Sequence, residues 1–133
     1  MARASVRRAP QPAPRGGPLL VDWYDYPALF ELAFADETGP EVAFLSAVFA
    51  RYARRPVRHV LEAACGGGRL LAGLAARGYR VAGFDRNPQM LAYAARRLRR
   101  RAPTARVFPA EMADFAAPRQ YDAICNTFNS FRH

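Results

Sequence analysis

The sequence contains no lysine and has little cysteine, histidine or tryptophan. All 20 basic residues are arginine, and together with 11 acidic residues they give a formal net charge of +9. Clustered arginines can bind nucleic acid by releasing counterions from its phosphates. No basic stretch alternates with aromatic residues in the pattern of a nucleic-acid surface. Solvated helix faces explain the charge better, so a nucleic-acid partner is not expected.

Too few cysteines and histidines are present for a disulfide framework or a metal cluster. Cys65 and Cys125 match no such spacing, and neither do His59 and His133, so no metal is expected. A reducing cytoplasm is the expected compartment. The longest apolar run, residues 42–50, is far shorter than the roughly 20 residues of a membrane helix, and no membrane span is predicted.

Composition divides the chain into three segments. Residues 1–18 are rich in arginine and proline and have no apolar core, which predicts a disordered tail rather than a secretory signal. Residues 19–56 have helical spacing, and Thr38 and Glu41 predict a capping box at the start of a helix. Residues 57–133 alternate strands with helices, which predicts an α/β domain with a parallel sheet.

The predicted strands of the α/β domain cover residues 57–62, 79–84, 106–110 and 121–126. The helix between the first two runs from Arg69 to Arg77 and ends at Gly78. Asn87 is predicted to cap the next helix, whose buried residues would be Met90, Leu91, Ala94, Ala95 and Leu98. Because the carboxyl ends of parallel strands meet at one edge of a sheet, a ligand site is expected there.

Small residues occupy alternate positions of the loop after the first strand, at Ala64, Gly66 and Gly68. They let the backbone turn sharply and approach a ligand closely. A dinucleotide site requires a further glycine at the position that Leu71 occupies, so the loop does not match the NAD fingerprint.

Three acidic residues, Glu62, Asp85 and Glu111, lie at the predicted strand ends. Glu62 would suit a cationic group, and Asp85 could accept hydrogen bonds from ribose hydroxyls, as acids do in dinucleotide folds. Helix capping is the alternative role of Glu62, and an ordinary turn is that of Asp85.

The run VLEAACGGGRLLAGLAARGYRVAGFDRNPQMLAYAARRL resembles the first half of class I S-adenosylmethionine-dependent methyltransferases. Their first motif, (D/E)-x-G-x-G-x-G, is matched by Glu62, Ala64, Gly66 and Gly68, with alanine replacing the first glycine. The resemblance implies a Rossmann-like sheet and S-adenosylmethionine as cofactor. The implied cofactor-binding residues are Tyr26, Glu62, Ala64, Cys65, Gly66, Gly68, Asp85, Arg86, Met90, Glu111, Met112 and Asn126.

The resemblance also implies where parts of the cofactor would lie. Asp85 would bind the ribose, and Met90 or Arg86 would pack on the adenine, with Glu111 and Met112 beside it. The strand end at Asn126 resembles the family's motif near the methyl group. The aromatic stretch around Trp23, Tyr24 and Tyr26 resembles the leader helix that often covers the methionine end.

No catalytic residue is assigned from the sequence, because methyl transfer depends mainly on positioning. The family's sheet has seven strands, whereas this chain supplies strands 1 to 4, which predicts a fragment whose exposed strand edge could self-associate. The methyl acceptor stays open. The alternatives are a non-catalytic module that binds S-adenosylmethionine or S-adenosylhomocysteine, and a methyltransferase associated with RNA or DNA.

Overall fold

A computed structural model describes residues 22–127, so the predicted tail over residues 1–18 lies outside the described residues. The leader contains two 3-10 turns, Trp23–Asp25 and Ala35–Glu37, and the helices α1 (Pro27–Ala33) and α2 (Thr38–Tyr52). The remaining elements are β1 (His59–Ala63), α3 (Arg69–Ala76), β2 (Arg80–Asp85), α4 (Pro88–Arg101), β3 (Arg106–Pro109) and β4 (Ala123–Asn126).

The strands form one sheet in the order β3-β2-β1-β4. All three pairings are parallel; on β1, for example, Leu61 pairs with Ala82 of β2 and with Ile124 of β4. The structure therefore confirms the predicted α/β fold class with a parallel sheet. The carboxyl ends of the strands lie together at one edge of this sheet.

Apolar residues cover both faces of the sheet, because successive side chains of a strand point to opposite faces. On one face Val60 packs with α2, α3 and α4; the central members of that cluster are Val42, Leu45, Leu70, Leu71, Leu74, Val81 and Leu98. On the other face Leu61 packs with Phe84, whose ring lies 4.4 Å from that of Phe115. The helices and a connecting segment thus hold the strand ends in place.

The predicted capping box at Thr38 is wrong. An N-cap residue has an extended backbone, whereas Thr38 has helical angles (φ −59°, ψ −46°) because the preceding 3-10 turn continues into α2. Its hydroxyl donates to the Phe34 carbonyl at 3.5 Å. Glu41 instead forms an ion pair with Arg69 of α3 at 2.6 Å. These two residues therefore connect helices rather than cap one.

The predicted cap of α4 is confirmed, since the Asn87 side chain accepts from the amides of Gln89 at 2.9 Å and Met90 at 3.1 Å. The buried residues of α4 are Met90, Ala94 and Leu98, which follow a spacing of four residues along one face. Ala95 is exposed, so its predicted burial is wrong; it lies one position beyond that face.

Strands β1 and β4 begin two residues later than predicted, and the side chain of Asp122 accounts for the shared start. One Asp122 carboxylate oxygen accepts from the amides of Arg58 and His59, at 2.9 Å each. These side-chain bonds take the place of ladder bonds where β1 and β4 first meet. Residues before His59 therefore lie outside the sheet.

Candidate functional site

A cavity of about 600 Å³ lies at the carboxyl ends of β1 and β2. Ligand pockets for small molecules typically have volumes of about 300–1,000 Å³. Nine of the predicted cofactor-binding residues line it, namely Glu62, Ala64, Cys65, Gly66, Asp85, Arg86, Met90, Glu111 and Met112. The other three, Tyr26, Gly68 and Asn126, lie outside its lining. The structure thus brings most of the candidate set together, while their binding role stays a prediction.

The loop between β1 and α3, residues 64–68, presents its backbone to the cavity. Ala64 and Gly66 have φ values of +54° and +53°, in the left-handed region that strongly favours glycine. A Cβ on Gly66 would meet only the Met90 sulfur, at 3.9 Å, so this part of the loop is open toward the cavity. A Cβ on Gly68 would lie 3.2 Å from Ala94 Cβ, so Gly68 serves the close packing of α4.

The carboxyl group of Glu62 is buried beside this loop. Only 3% of the residue is exposed, and its Oε2 atom has no hydrogen-bond partner among the residues that the structure describes. Burial raises its pKa well above the ordinary value, and the nearby Arg69 guanidinium opposes that rise. Glu62 does not cap α3, because Gly68 is the N-cap and no side chain bonds there. A buried acceptor without a partner fits a ligand that brings a donor or a positive charge.

Asp85 connects the loop to the start of α4. Its Oδ2 accepts from the Gly66 amide at 2.9 Å, and its Oδ1 accepts from the Asn87 amide at 2.8 Å. A carboxylate has about four lone-pair sites, so two amide bonds leave capacity for two further donors. The arrangement fits ribose hydroxyls, which is the role predicted for this residue.

Both cysteines have the surroundings of packing residues. Cys65 lies against Gly83, where an added Cβ would come within 2.7 Å of Cys65 Cβ. Burial raises the pKa of the Cys65 thiol well above its ordinary value and that of Cys125 to about 12. Both sulfurs are therefore thiols at neutral pH, and the nucleophile is the thiolate.

Two predicted residues outside the lining have other contacts. Tyr26 is 50% exposed, and its neighbours Tyr24 and Phe30 line the cavity in its place. The Asn126 side chain donates to the Ala63 carbonyl at 2.9 Å and lies 3.4 Å from the sulfur of Met112. Asn126 therefore connects the end of β4 to β1 and to a lining residue.

Charged residues from the helices complete the site, although no sequence motif indicates them. Arg69 is buried in the lining, where it forms the ion pair with Glu41 and donates to the Thr38 hydroxyl at 3.3 Å. Glu31 of α1 also lines the cavity and forms an ion pair with Arg97 of α4. No local pattern indicates either pair, because the partners are distant in sequence.

Within residues 22–127, no group of three or more metal-binding side chains has the arrangement of a metal site. No helix in that range is long and apolar enough to cross a membrane.

Comparison with known families places the chain in a class of proteins. The family described as "Methyltransferase domain" matches residues 60–133, which is more than half of the chain. The chain therefore belongs to the methyltransferase domain family, and this confirms the class I methyltransferase predicted from its motifs. No curated protein matches the sequence.

Several solved methyltransferases have a similar structure. The sugar N-methyltransferase KedS8 from Streptoalloteichus is 30% identical over 92% of this chain and 46% of its own, with a TM-score of 0.67. The amino pentose methyltransferase CalS10 from Micromonospora echinaspora, solved with S-adenosylmethionine bound, is 27% identical over 77% and 42%, with a TM-score of 0.63. DesVI from Streptomyces venezuelae is 26% identical over 81% and 44%, with a TM-score of 0.62. The present chain spans less than half the length of each.

Proposed function

We propose that the cavity binds S-adenosylmethionine and that the protein is a methyltransferase that uses it. The observation that carries this proposal is the buried Oε2 atom of Glu62, which has no hydrogen-bond partner within residues 22–127, beside the open backbone at Gly66. An α-ammonium group would supply both a positive charge and hydrogen-bond donors to that carboxylate. Membership of the methyltransferase domain family supports the same reading.

The remaining lining residues suit the other parts of this cofactor. Asp85 has acceptor capacity for the ribose hydroxyls, and Met90 and Met112 offer polarizable apolar surface to the adenine. When bound, the cofactor supplies a methyl group on a sulfonium sulfur that a nucleophile can attack in line. The protein's contribution is to hold the reactants in position and to exclude water, and it requires no acid or base among these residues.

We further propose that the acceptor is an amine carried by a sugar. KedS8 is described as a sugar N-methyltransferase and CalS10 as an amino pentose methyltransferase, and the first shares 30% identity over 92% of this chain. In such a transfer a nitrogen–carbon bond forms as the sulfur–carbon bond breaks, and the amine releases one proton to solvent. A cytoplasmic location, where the cofactor and reduced thiols coexist, is part of this proposal.

A methyl-transfer assay tests the proposal. The protein is incubated with S-adenosylmethionine and either amino sugars or the matched sugars with a hydroxyl in place of the amine. S-adenosylhomocysteine and a methylated product are expected with the amino sugars and not with the matched hydroxyl sugars. Cofactor binding without turnover on any acceptor would favour the non-catalytic module. Methylation of RNA or DNA, with binding that falls steeply as salt rises, would favour the nucleic-acid enzyme.

A further inference from the structure

The side chain of Arg97 connects three segments that surround the cavity. We call residues 22–34, which comprise the first 3-10 turn and α1, the leader lid; Asp22, Tyr24, Phe30 and Glu31 of this segment line the cavity. Arg97, on α4, forms an ion pair with Glu31 of the leader lid. The same guanidinium donates to the Gly67 carbonyl of the loop at 3.3 Å. One side chain thus joins the lid, α4 and the loop.

The contact between the lid and the loop is close and largely dry. The Glu31 side chain is 4% exposed and that of Arg97 is 21% exposed. A Cβ on Gly67 would lie 2.7 Å from the Glu31 carboxyl carbon, so a side chain at residue 67 would displace the Glu31 carboxyl group from its present position. A second, exposed contact joins the lid to α4, where Asn87 donates to the Asp25 carboxylate at 3.2 Å.

We propose that Arg97 is a positioning residue whose ion pair with Glu31 holds the leader lid closed over the cofactor cavity. The inference rests on the proposed function, since it assigns the cavity to S-adenosylmethionine. Arg97 does not line the cavity and therefore acts through Glu31 and Gly67. Loss of its charge leaves the Glu31 carboxylate buried without a counter-charge, which is strongly unfavourable. Glu31 regains hydration only if α1 moves away from the loop, and that movement opens the site.

The neighbouring residue Arg96 provides a matched control. Both guanidinium groups lie over the ring of Tyr93, at 5.8 Å for Arg96 and 5.1 Å for Arg97. Arg96 is exposed, and no hydrogen bond or ion pair connects it to the lid within residues 22–127. Arg96→Ala therefore removes the same charge and ring contact as Arg97→Ala while leaving the lid contact in place.

The sequence supplies a reporter of lid position, because its single tryptophan, Trp23, lies in the leader lid. Its ring packs edge-on against Phe30 at 5.0 Å and Phe34 at 5.7 Å, which both belong to the lid, and the 3-10 turn that holds it lies against α4. Trp23 is already 43% exposed, so the change to be measured is the additional exposure when this turn leaves α4. Acrylamide quenching of Trp23 emission measures how far solvent reaches this segment.

The experiment compares wild type, Arg97→Ala, Arg97→Lys, Arg96→Ala and Glu31→Gln. Quenching is measured for each with and without S-adenosylhomocysteine, and the affinity for that ligand is measured calorimetrically.

In Arg97→Ala we expect stronger quenching without ligand and S-adenosylhomocysteine binding weakened about ten- to hundredfold, the range for losing a charged hydrogen bond. Glu31→Gln should change both quantities in the same direction. Arg97→Lys should give a smaller change than Arg97→Ala, because an ammonium group keeps the charge opposite Glu31 but lacks the planar guanidinium that also reaches the Gly67 carbonyl. Arg96→Ala should match the wild type.

Quenching and affinity in Arg97→Ala that equal those of the wild type would overturn the inference. So would loss of the circular dichroism spectrum in both Arg97→Ala and Glu31→Gln, since a lid contact can be released without unfolding the sheet. Failure of the wild type to bind S-adenosylhomocysteine would refute the proposed function instead. The lid contact would then still be tested by quenching in the absence of ligand.

Discussion

The carboxyl group of Glu62 is buried at the end of β1, where one oxygen has no partner in the described part of the chain. Burial raises its pKa in the folded protein above the ordinary value of 4.5. The folded state therefore keeps this proton at pH values where the unfolded chain has lost it. The free energy of unfolding consequently falls as the pH rises from about 4.5 through the pKa of Glu62 in the folded protein. A ligand with a positive charge would offset this cost.

Glu62→Gln is expected to stabilise the ligand-free protein at pH 8 and to leave it little changed near pH 4, because the amide cannot ionise. The same variant should bind S-adenosylhomocysteine more weakly, by about 1.5–3 kcal/mol for a lost bond to a charged group. Thermal melts at both pH values and calorimetry measure the two effects. Glu37→Gln, at an exposed position, is the control. A Glu62→Gln protein that melts lower than wild type at pH 8 would contradict this reading.

Asp85 accepts hydrogen bonds from two backbone amides. Its removal should therefore make the loop more mobile and also remove the acceptor for the ribose hydroxyls. Asp85→Ala is expected to weaken S-adenosylhomocysteine binding by about 1–3 kcal/mol. Titration calorimetry measures the change, with Asp36→Ala as the control at an exposed site. An affinity equal to that of the wild type would show that Asp85 only shapes the turn.

Among the secondary-structure elements, β1 and β4 depend on a side chain for their alignment. Asp122 accepts from the amides of Arg58 and His59 and lies 3.5 Å from the His59 ring nitrogen Nδ1. The hydrogen bond from the His59 amide, followed by that from the Arg58 amide, contributes most to holding the pKa of Asp122 below its ordinary value of 3.8. Its contribution to stability is therefore present above pH 3.8 and is lost as the pH falls through the lower, folded pKa.

Asp122→Ala is expected to lower the melting temperature at pH 7, because two amides at the start of β1 lose their acceptor. The difference in melting temperature between Asp122→Ala and the wild type should become smaller as the pH falls below 3.8, because the wild-type carboxylate then becomes protonated and loses its charge. Melting curves between pH 2 and pH 7 measure this dependence. A difference that stays constant over the whole range would show that the carboxylate charge is not responsible.

For the molecule as a whole, the sheet could be predicted because its strand pattern is local and parallel strands bring their carboxyl ends together. That rule placed Glu62, Asp85 and Glu111 at one edge of the sheet, and all three line the cavity there. The ion pairs could not be predicted in this way. Glu31 and Arg97 meet only because α1 packs against α4, and the arginines near the end of α4 look alike in sequence. The predicted capping box at Thr38 was wrong because it also depends on a neighbouring element: the preceding 3-10 turn continues into α2 and gives Thr38 helical backbone angles.

The most direct test of the account is parallel calorimetric titration of the protein with S-adenosylhomocysteine and with NAD. The cavity offers a carboxylate for an ammonium group, and Leu71 is fully buried in the core at the position of the dinucleotide glycine. We predict one-site binding of S-adenosylhomocysteine, weakened in Glu62→Gln and Asp85→Ala, and no measurable binding of NAD. Binding of NAD without binding of S-adenosylhomocysteine would contradict the account, as would S-adenosylhomocysteine binding that neither substitution alters.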